Sequence, residues 1–218
     1  MEIQSLILEL DKKSGEEAKR EFWKIIGKIK RKEIVVSNSD IEELCKIREK
    51  LFKKRIVLST GKGRLLFSFG FVLAVTFFVW LNTIDFNGFD YLLIFVAELP
   101  VIYFGFLVGR LLGGLISGIK FDGFYLYTPI EFGVKVNCKD YLKSKQSNRV
   151  LLYATTLVFQ AFVMLFLTAV VYTFKPHALI VPLFFLFLWL VGSYTIHRVA
   201  RTGELHRFLR ELKILLKK

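Results

Sequence analysis

Few residues in this chain combine reactive chemistry with an unusual setting. Glu98 and Arg110 are ionisable side chains inside a long apolar run, where a charge is costly enough to be a functional hypothesis by default. They lie 12 residues apart, about 18 Å along a straight helix, and so pair directly only if the segment breaks. Thr155, Thr156 and Gln160, in a later apolar run, are natural hydrogen-bonding partners for either one, at about 0.6–2 kcal/mol per interhelical contact. The histidines are three: His177, His197 and His206. The last two, nine residues apart, do not share a helical face at ligand spacing; we expect interfacial or surface positions for them, no metal site and no cofactor. Gly105, Gly109 and Gly113 form two overlapping G-x-x-x-G pairs, a pattern of tight helix packing within the chain or with a partner.

The elements that must position these groups follow from composition. The 218 residues are 54% hydrophobic, with 23 Phe and a mean hydropathy of +0.47. That is greasier than a soluble domain, and it excludes a secreted disulfide scaffold and a disordered tail. The net charge of +13 collects between the apolar runs rather than within them, which describes a membrane protein with basic soluble parts. Cys45 and Cys138 fall in those basic parts, so a reduced, cytoplasm-facing setting without a disulfide is expected.

Residues 1–64 carry 17 Lys and Arg against 11 Asp and Glu and hold no run long enough to cross a bilayer. They read as a cytosolic helical extension. A capping box at Ser14-Gly15-Glu16-Glu17 followed by Phe22, Ile25, Ile26 and Ile29 predicts a helix over 15–32. Ser39 with Glu42 repeats the signal for a helix over 40–55 that presents Ile41, Leu44, Cys45, Leu51 and Phe52; the two pack as a hairpin or lie on a membrane. Gly61-Lys62-Gly63 reads as a linker. Four apolar segments follow, over 65–82, 91–118, 150–173 and 178–196, the second kinked or broken by its Pro100 and glycines. Residues 119–149 carry six bases against three acids, and the chain from His197 onward seven against two, whereas 83–90 hold Asp85 and Asp90 without a base. By the positive-inside rule both termini and the 119–149 loop face the cytoplasm. Over residues 199–218 a stripe of Leu205, Phe208, Leu209, Leu212, Leu215 and Leu216 is surrounded by Arg207, Arg210, Lys213, Lys217 and Lys218. Such a helix lies on anionic lipid headgroups or packs on a partner, and specific nucleic-acid contact is not expected.

The 119–149 loop alternates like a strand from Ile119 to Leu126, turns at Thr128-Pro129 and alternates again over Phe132-Gly133-Val134-Lys135-Val136. With Gly118-Ile119-Lys120-Phe121 at its start, it resembles the short sheet that follows the zinc helix in the site-2 protease family of intramembrane metalloproteases. The resemblance covers residues 91–173 and extends weakly to 212. It implies that the family's H-E-x-x-H falls on Phe106-Leu107-Val108-Gly109-Arg110, so that Phe106 and Arg110 replace the histidines and Leu107 the general base. Thr155-Thr156-Leu157-Val158-Phe159 falls where the family's G-P-x-x-N begins, and Arg201 of Ala200-Arg201-Thr202-Gly203-Glu204 at its third, aspartate ligand. A guanidinium has donors only and offers no lone pair to a metal.

The fold class expected is mainly α: a four-helix polytopic membrane domain over 65–198, with a strand-containing cytoplasmic loop, the 1–64 extension and the C-terminal helix. The function expected is non-catalytic binding or scaffolding with a protein partner or a second copy, resembling an inactive site-2 protease. The alternatives are an intramembrane protease built on Glu98 with unconventional groups, and a small transporter or channel subunit in which Glu98 and Arg110 mark a polar pathway.

Overall fold

Phe22, Ile25, Ile26 and Ile29 recur at helical spacing and line the buried side of α1 (Gly15–Lys30), which packs against Ile41, Leu44 and Ile47 of α2 (Asn38–Leu51). The computed structural model describes Ser5, Leu10 and residues 15–52, 55–86, 88–126, 132–200 and 203–217; the Ser14 cap, the Thr128-Pro129 turn, Arg201 and Lys218 lie outside the described residues. The cap of α2 is Ser37 with Asp40, not Ser39 with Glu42. Asp40 N–H donates to Ser37 Oγ at 3.2 Å and Ser37 N–H to Asp40 Oδ2 at 2.7 Å, while Ser39 already lies within the first turn.

A three-residue strand β1 (Ile56–Leu58) then leads into α3 (Thr60–Asn82). The Gly61-Lys62-Gly63 linker is therefore corrected: these residues form the first turn of the helix. Glycine is needed at 63 because the Phe124 ring fills the space that a Cβ there would occupy. Helix α4 (Asp90–Ser117) runs unbroken through Pro100 and ends on Gly118, whose φ of 69° supplies the left-handed C-cap. Strands β2 (Phe121–Leu126) and β3 (Phe132–Val136) follow as expected and pair antiparallel, Phe124 opposite Val134. β1 adds to the free edge of β2, giving the order β1-β2-β3.

A short helix α5 (Cys138–Lys143), capped by Asn137, precedes α6 (Gln146–Phe174). A 3-10 turn at Pro176–Ala178 leads into α7 (Ile180–Thr195), which passes through a π turn at Ile196–Ala200; α8 (Gly203–Leu216) completes the described chain. The molecule is mainly helical, and four helices are long and apolar enough to cross a membrane: α3, α4, α6 and the stretch Pro176–Ala200. Outward-facing Phe69, Val72, Phe77, Phe162, Phe187 and Leu190 suit such a setting.

The bundle closes around α4. Its Gly105, Gly109 and Gly113 face α6, and at Gly113 a Cβ would collide with the Leu152 carbonyl, so the small-residue stripe serves packing within the chain. The hairpin core takes in Cys138 and Leu142 of α5, which fixes α1 and α2 on the helical bundle. There Cys45 and Cys138 form a disulfide with a Cα–Cα separation of 5.7 Å, overturning the expectation of two reduced thiols. The physical reason is that both side chains belong to one packed core although 93 residues separate them in sequence.

Candidate functional site at the basic end

Three charges sit on faces that ought to be apolar. Lys30 follows Ile26 by one helical turn on the buried side of α1. On α8, Glu204 and Glu211 share a stripe with Phe208 and Leu215 at i, i+4, i+7 and i+11. Packing those faces together brings the charges into the interior at one end of the bundle.

Glu211, with a side-chain exposure of 0%, is the hub. Lys30 Nζ donates to its Oε1 at 2.6 Å and the Tyr141 hydroxyl to the same oxygen at 2.9 Å. Gln146 Nε2 donates to Oε2 at 3.0 Å and to the Glu211 carbonyl at 2.7 Å, and Arg210 Nη2 reaches Oε1 at 3.2 Å. Lys30 also donates to the Tyr141 hydroxyl at 2.8 Å. One carboxylate thus ties together α1, α5, α6 and its own helix. Burial pulls the Lys30 ammonium down to about 8 against the opposing pull of Glu211. Burial alone would push the Glu211 carboxyl up, but Lys30, Arg210 and the Gln146 amide together hold it below its ordinary value. The Tyr141 phenol is pushed well above its ordinary value by burial, with Tyr153 and Glu211 adding to it.

The second carboxylate of α8 meets the expected polar residue of the second span. Arg110 Nη2 is ion-paired with Glu204 Oε1, and its guanidinium lies 4.8 Å from the Phe106 ring centroid. Arg207 Nη1 shares the same Glu204 oxygen at 3.1 Å. The expected partners Thr155, Thr156 and Gln160 are not those of Arg110: Thr156 donates to the Leu152 carbonyl of its own helix at 3.1 Å, and the buried Gln160 Oε1 has no hydrogen-bond partner among the described residues. Glu98 is fully buried, both its oxygens are without a partner among the described residues, and it does not meet Arg110.

His197 and His206 come together after all, with ring centroids 5.4 Å apart. The nine-residue spacing assumed one continuous helix, but the π turn at 196–200 and the positive φ of 79° at Gly203 fold α8 back on α7. Among the described residues no group of three His, Cys, Asp or Glu side chains is placed to hold a metal.

Of the cations assigned to a surface role, Arg210, Lys213 and Lys217 are exposed, and Arg210 and the half-buried Arg207 also pair with Glu211 and Glu204. Both arginines also line a cavity of about 290 Å³ between the hairpin, the sheet and α8, together with Lys30, Arg48 and Lys135. Arg48 Nη1 donates to the Val136 carbonyl at 3.0 Å and Lys135 pairs with Glu49 at 2.5 Å. An open groove of about 570 Å³ between α1 and α8 shares Trp23, Ile26, Lys30 and Arg210 with the cavity.

At the opposite end of the bundle Asp90, 4% exposed, is ion-paired with the equally buried Lys175 and lies 3.2 Å from His177 Nε2. The Lys175 ammonium stands 5.1 Å from the Phe86 ring, and the Tyr91 hydroxyl donates to the His177 carbonyl at 3.1 Å. Sequence reasoning placed these residues in short loops and did not foresee that they pair. No family model, no curated protein and no solved structure matches this chain.

Proposed function

We propose that the chain is a non-catalytic integral membrane protein that works by binding or scaffolding, built on the plan of a site-2 protease whose zinc site has been replaced, with its basic end toward the cytoplasm by the positive-inside rule and the Cys45–Cys138 disulfide kept there within the packed core of the hairpin. The observation that carries this reading is the Arg110–Glu204 ion pair. Under the resemblance, Arg110 stands at a zinc-histidine position of the second span, and Glu204 lies three residues after the position of the third ligand. Those two regions meet here, and a salt bridge fills the meeting place. A guanidinium paired with a carboxylate neither ligates a metal nor takes a proton from water. The basic end supports the binding role: four helices converge there on Glu211, beside a cavity lined with cations and aromatic rings.

The test is metal analysis of the purified full-length protein together with an assay for cleavage of membrane substrates with and without chelator. The reading expects well under one equivalent of tightly bound zinc and no chelator-sensitive cleavage; stoichiometric zinc would falsify it. Orientation is tested by single added cysteines, one at Phe89 labelling only from outside and one at Lys217 only from the cytoplasm.

A second reading, a small transporter or channel subunit, draws on the buried carboxyl of Glu98, which has no partner among the described residues. Proton or cation flux in proteoliposomes that is abolished by Glu98→Gln would favour it over the first.

A further inference from the structure

We infer that the cavity and groove at the basic end form one binding site for a phosphate-bearing anion. The inference rests on the binding role proposed above and names its ligand class. It follows from how the charges balance and from what the arginines leave unused.

Five cationic side chains, Lys30, Arg48, Lys135, Arg207 and Arg210, line the cavity. The carboxylates that face them among the described residues are Glu49, Glu204 and Glu211, and Glu204 also serves Arg110. Cations remain in excess in a partly enclosed space, where the pull on an anion is stronger than on an open surface. The groove extends that excess, adding Arg31, Lys213 and Lys217 against Glu33. Net positive charge that survives internal pairing is what an anion site requires; a purely structural cluster would close its charges.

Donor geometry narrows the anion. Arg48, Arg207 and Arg210 each commit one terminal nitrogen to a protein acceptor. A guanidinium carries five N–H donors in a planar fork, so each keeps donors for a ligand. Arg207 and Arg210 lie one helical turn apart and both line the cavity, an arrangement suited to a group with several oxygens. A phosphate offers three such oxygens. The aromatic wall of Trp23 and Phe52, rings 5.6 Å apart, gives an apolar or planar part of the same ligand a surface beside the charge. The cavity volume lies near the lower limit for small-molecule sites, about 300 Å³, and the adjoining groove makes room for a second anionic group.

Phosphate of this kind has two sources, a lipid headgroup and a soluble phosphorylated compound. The experiment uses full-length protein in phosphatidylcholine nanodiscs, titrated calorimetrically with inorganic pyrophosphate. Saturable binding at one equivalent is expected, weakened about tenfold by Arg210→Gln and by Arg207→Gln, the loss of one charge-assisted contact. Lys213→Gln, on an exposed residue of the groove, should weaken it by a smaller factor. Lys143→Gln, an exposed charge on α5 outside both cavities, should leave it unchanged.

Adding phosphatidic acid to the nanodiscs separates the sources. Competition with pyrophosphate that disappears in Arg210→Gln supports the site with a lipid ligand, and absence of competition supports it with a soluble one. Non-saturating binding, an equal loss with Lys143→Gln, or equally good displacement by a polyglutamate peptide overturns the inference. Failure here is distinguishable from failure of the binding role: a protein without zinc or cleavage that ignores pyrophosphate loses only the site, whereas one that binds and hydrolyses pyrophosphate keeps the site and loses the non-catalytic reading.

Discussion

The two ends of the helical bundle use the same device to opposite purposes. At one end Asp90 takes Lys175, with His177 and the Phe86 ring completing the surroundings, and the charges close in a small group between neighbouring helix ends. At the other, Glu211 and Glu204 are each shared by two cations, and further cations stand around a cavity. The first arrangement is a clasp, in which burial is affordable because nothing is left over. The second is a socket: its carboxylates hold the walls together while the surplus of positive charge faces the space between them. A buried ion pair is weak evidence for stability by itself, and what separates the two cases is the balance of charge around each pair.

Substitutions can break or sharpen that contrast. The largest effect is expected from Glu211→Gln, which strands the buried Lys30 at the junction of four helices. A loss of about 3–5 kcal/mol should appear as a lowered melting temperature in detergent, with the α1–α2 hairpin opened to protease. A Gln variant as stable as the parent would show that Glu211 organises nothing. Asp90→Asn should cost about 3 kcal/mol, since it strands Lys175, but without exposing the hairpin to protease. If both variants release the hairpin, the two ends are not independent.

Reduction of Cys45–Cys138 comes next, at about 2–4 kcal/mol. It should loosen the hairpin alone, which hydrogen exchange of α1 and α2 against α4 and α6 would resolve. Arg110→Met should cost about 1–3 kcal/mol, because Glu204 retains Arg207, and Arg110→Lys less, because lysine keeps the charge but loses the fork. A Lys variant indistinguishable from the parent would leave charge alone as the contribution of Arg110. The smallest effect is on pH dependence. Because the folded state holds the Glu211 carboxyl below its unfolded value, its contribution is complete above about pH 4.3 and fades as the pH falls through the lower, folded value. Acid should therefore free the hairpin in the parent but add nothing in Glu211→Gln, as protease sensitivity against pH would show.

What the sequence disclosed follows the range over which each signal acts. The helices of the extension, the four apolar helices and strands β2 and β3 are written in periodicities of a few residues, and their ends fall within about a turn of where they are expected, except that α3 starts five residues early, at Thr60. Strand β1 was not foreseen: three residues after a run of bases carry no period, and the strand exists because the edge of β2, more than 60 residues on, is there to pair with it. The disulfide and the Arg110–Glu204 pair are long-range in the same way. The Glu211 hub is different, since Glu204, Phe208, Glu211 and Leu215 form one helical stripe and Lys30 extends another. Reading charges on an apolar stripe as inward-facing, rather than as part of the solvated side, would have found it. Glu98 was singled out for burial and is buried, while its role stays with the experiment on flux.

The Cys45–Cys138 bond also constrains how the chain is made. Between its two sulfurs lie α3 and α4, and if both cross the bilayer, the chain leaves one face and returns to it before the bond can close. Until α4 has been inserted and Cys138 has emerged beside the already synthesised hairpin, Cys45 has no mate. The oxidised form is thus a chemical record that α3 and α4 have gone in, whatever the state of α6 and α7, and nascent chains truncated before residue 138 should carry a thiol that alkylates freely, whereas the full chain should resist the same reagent.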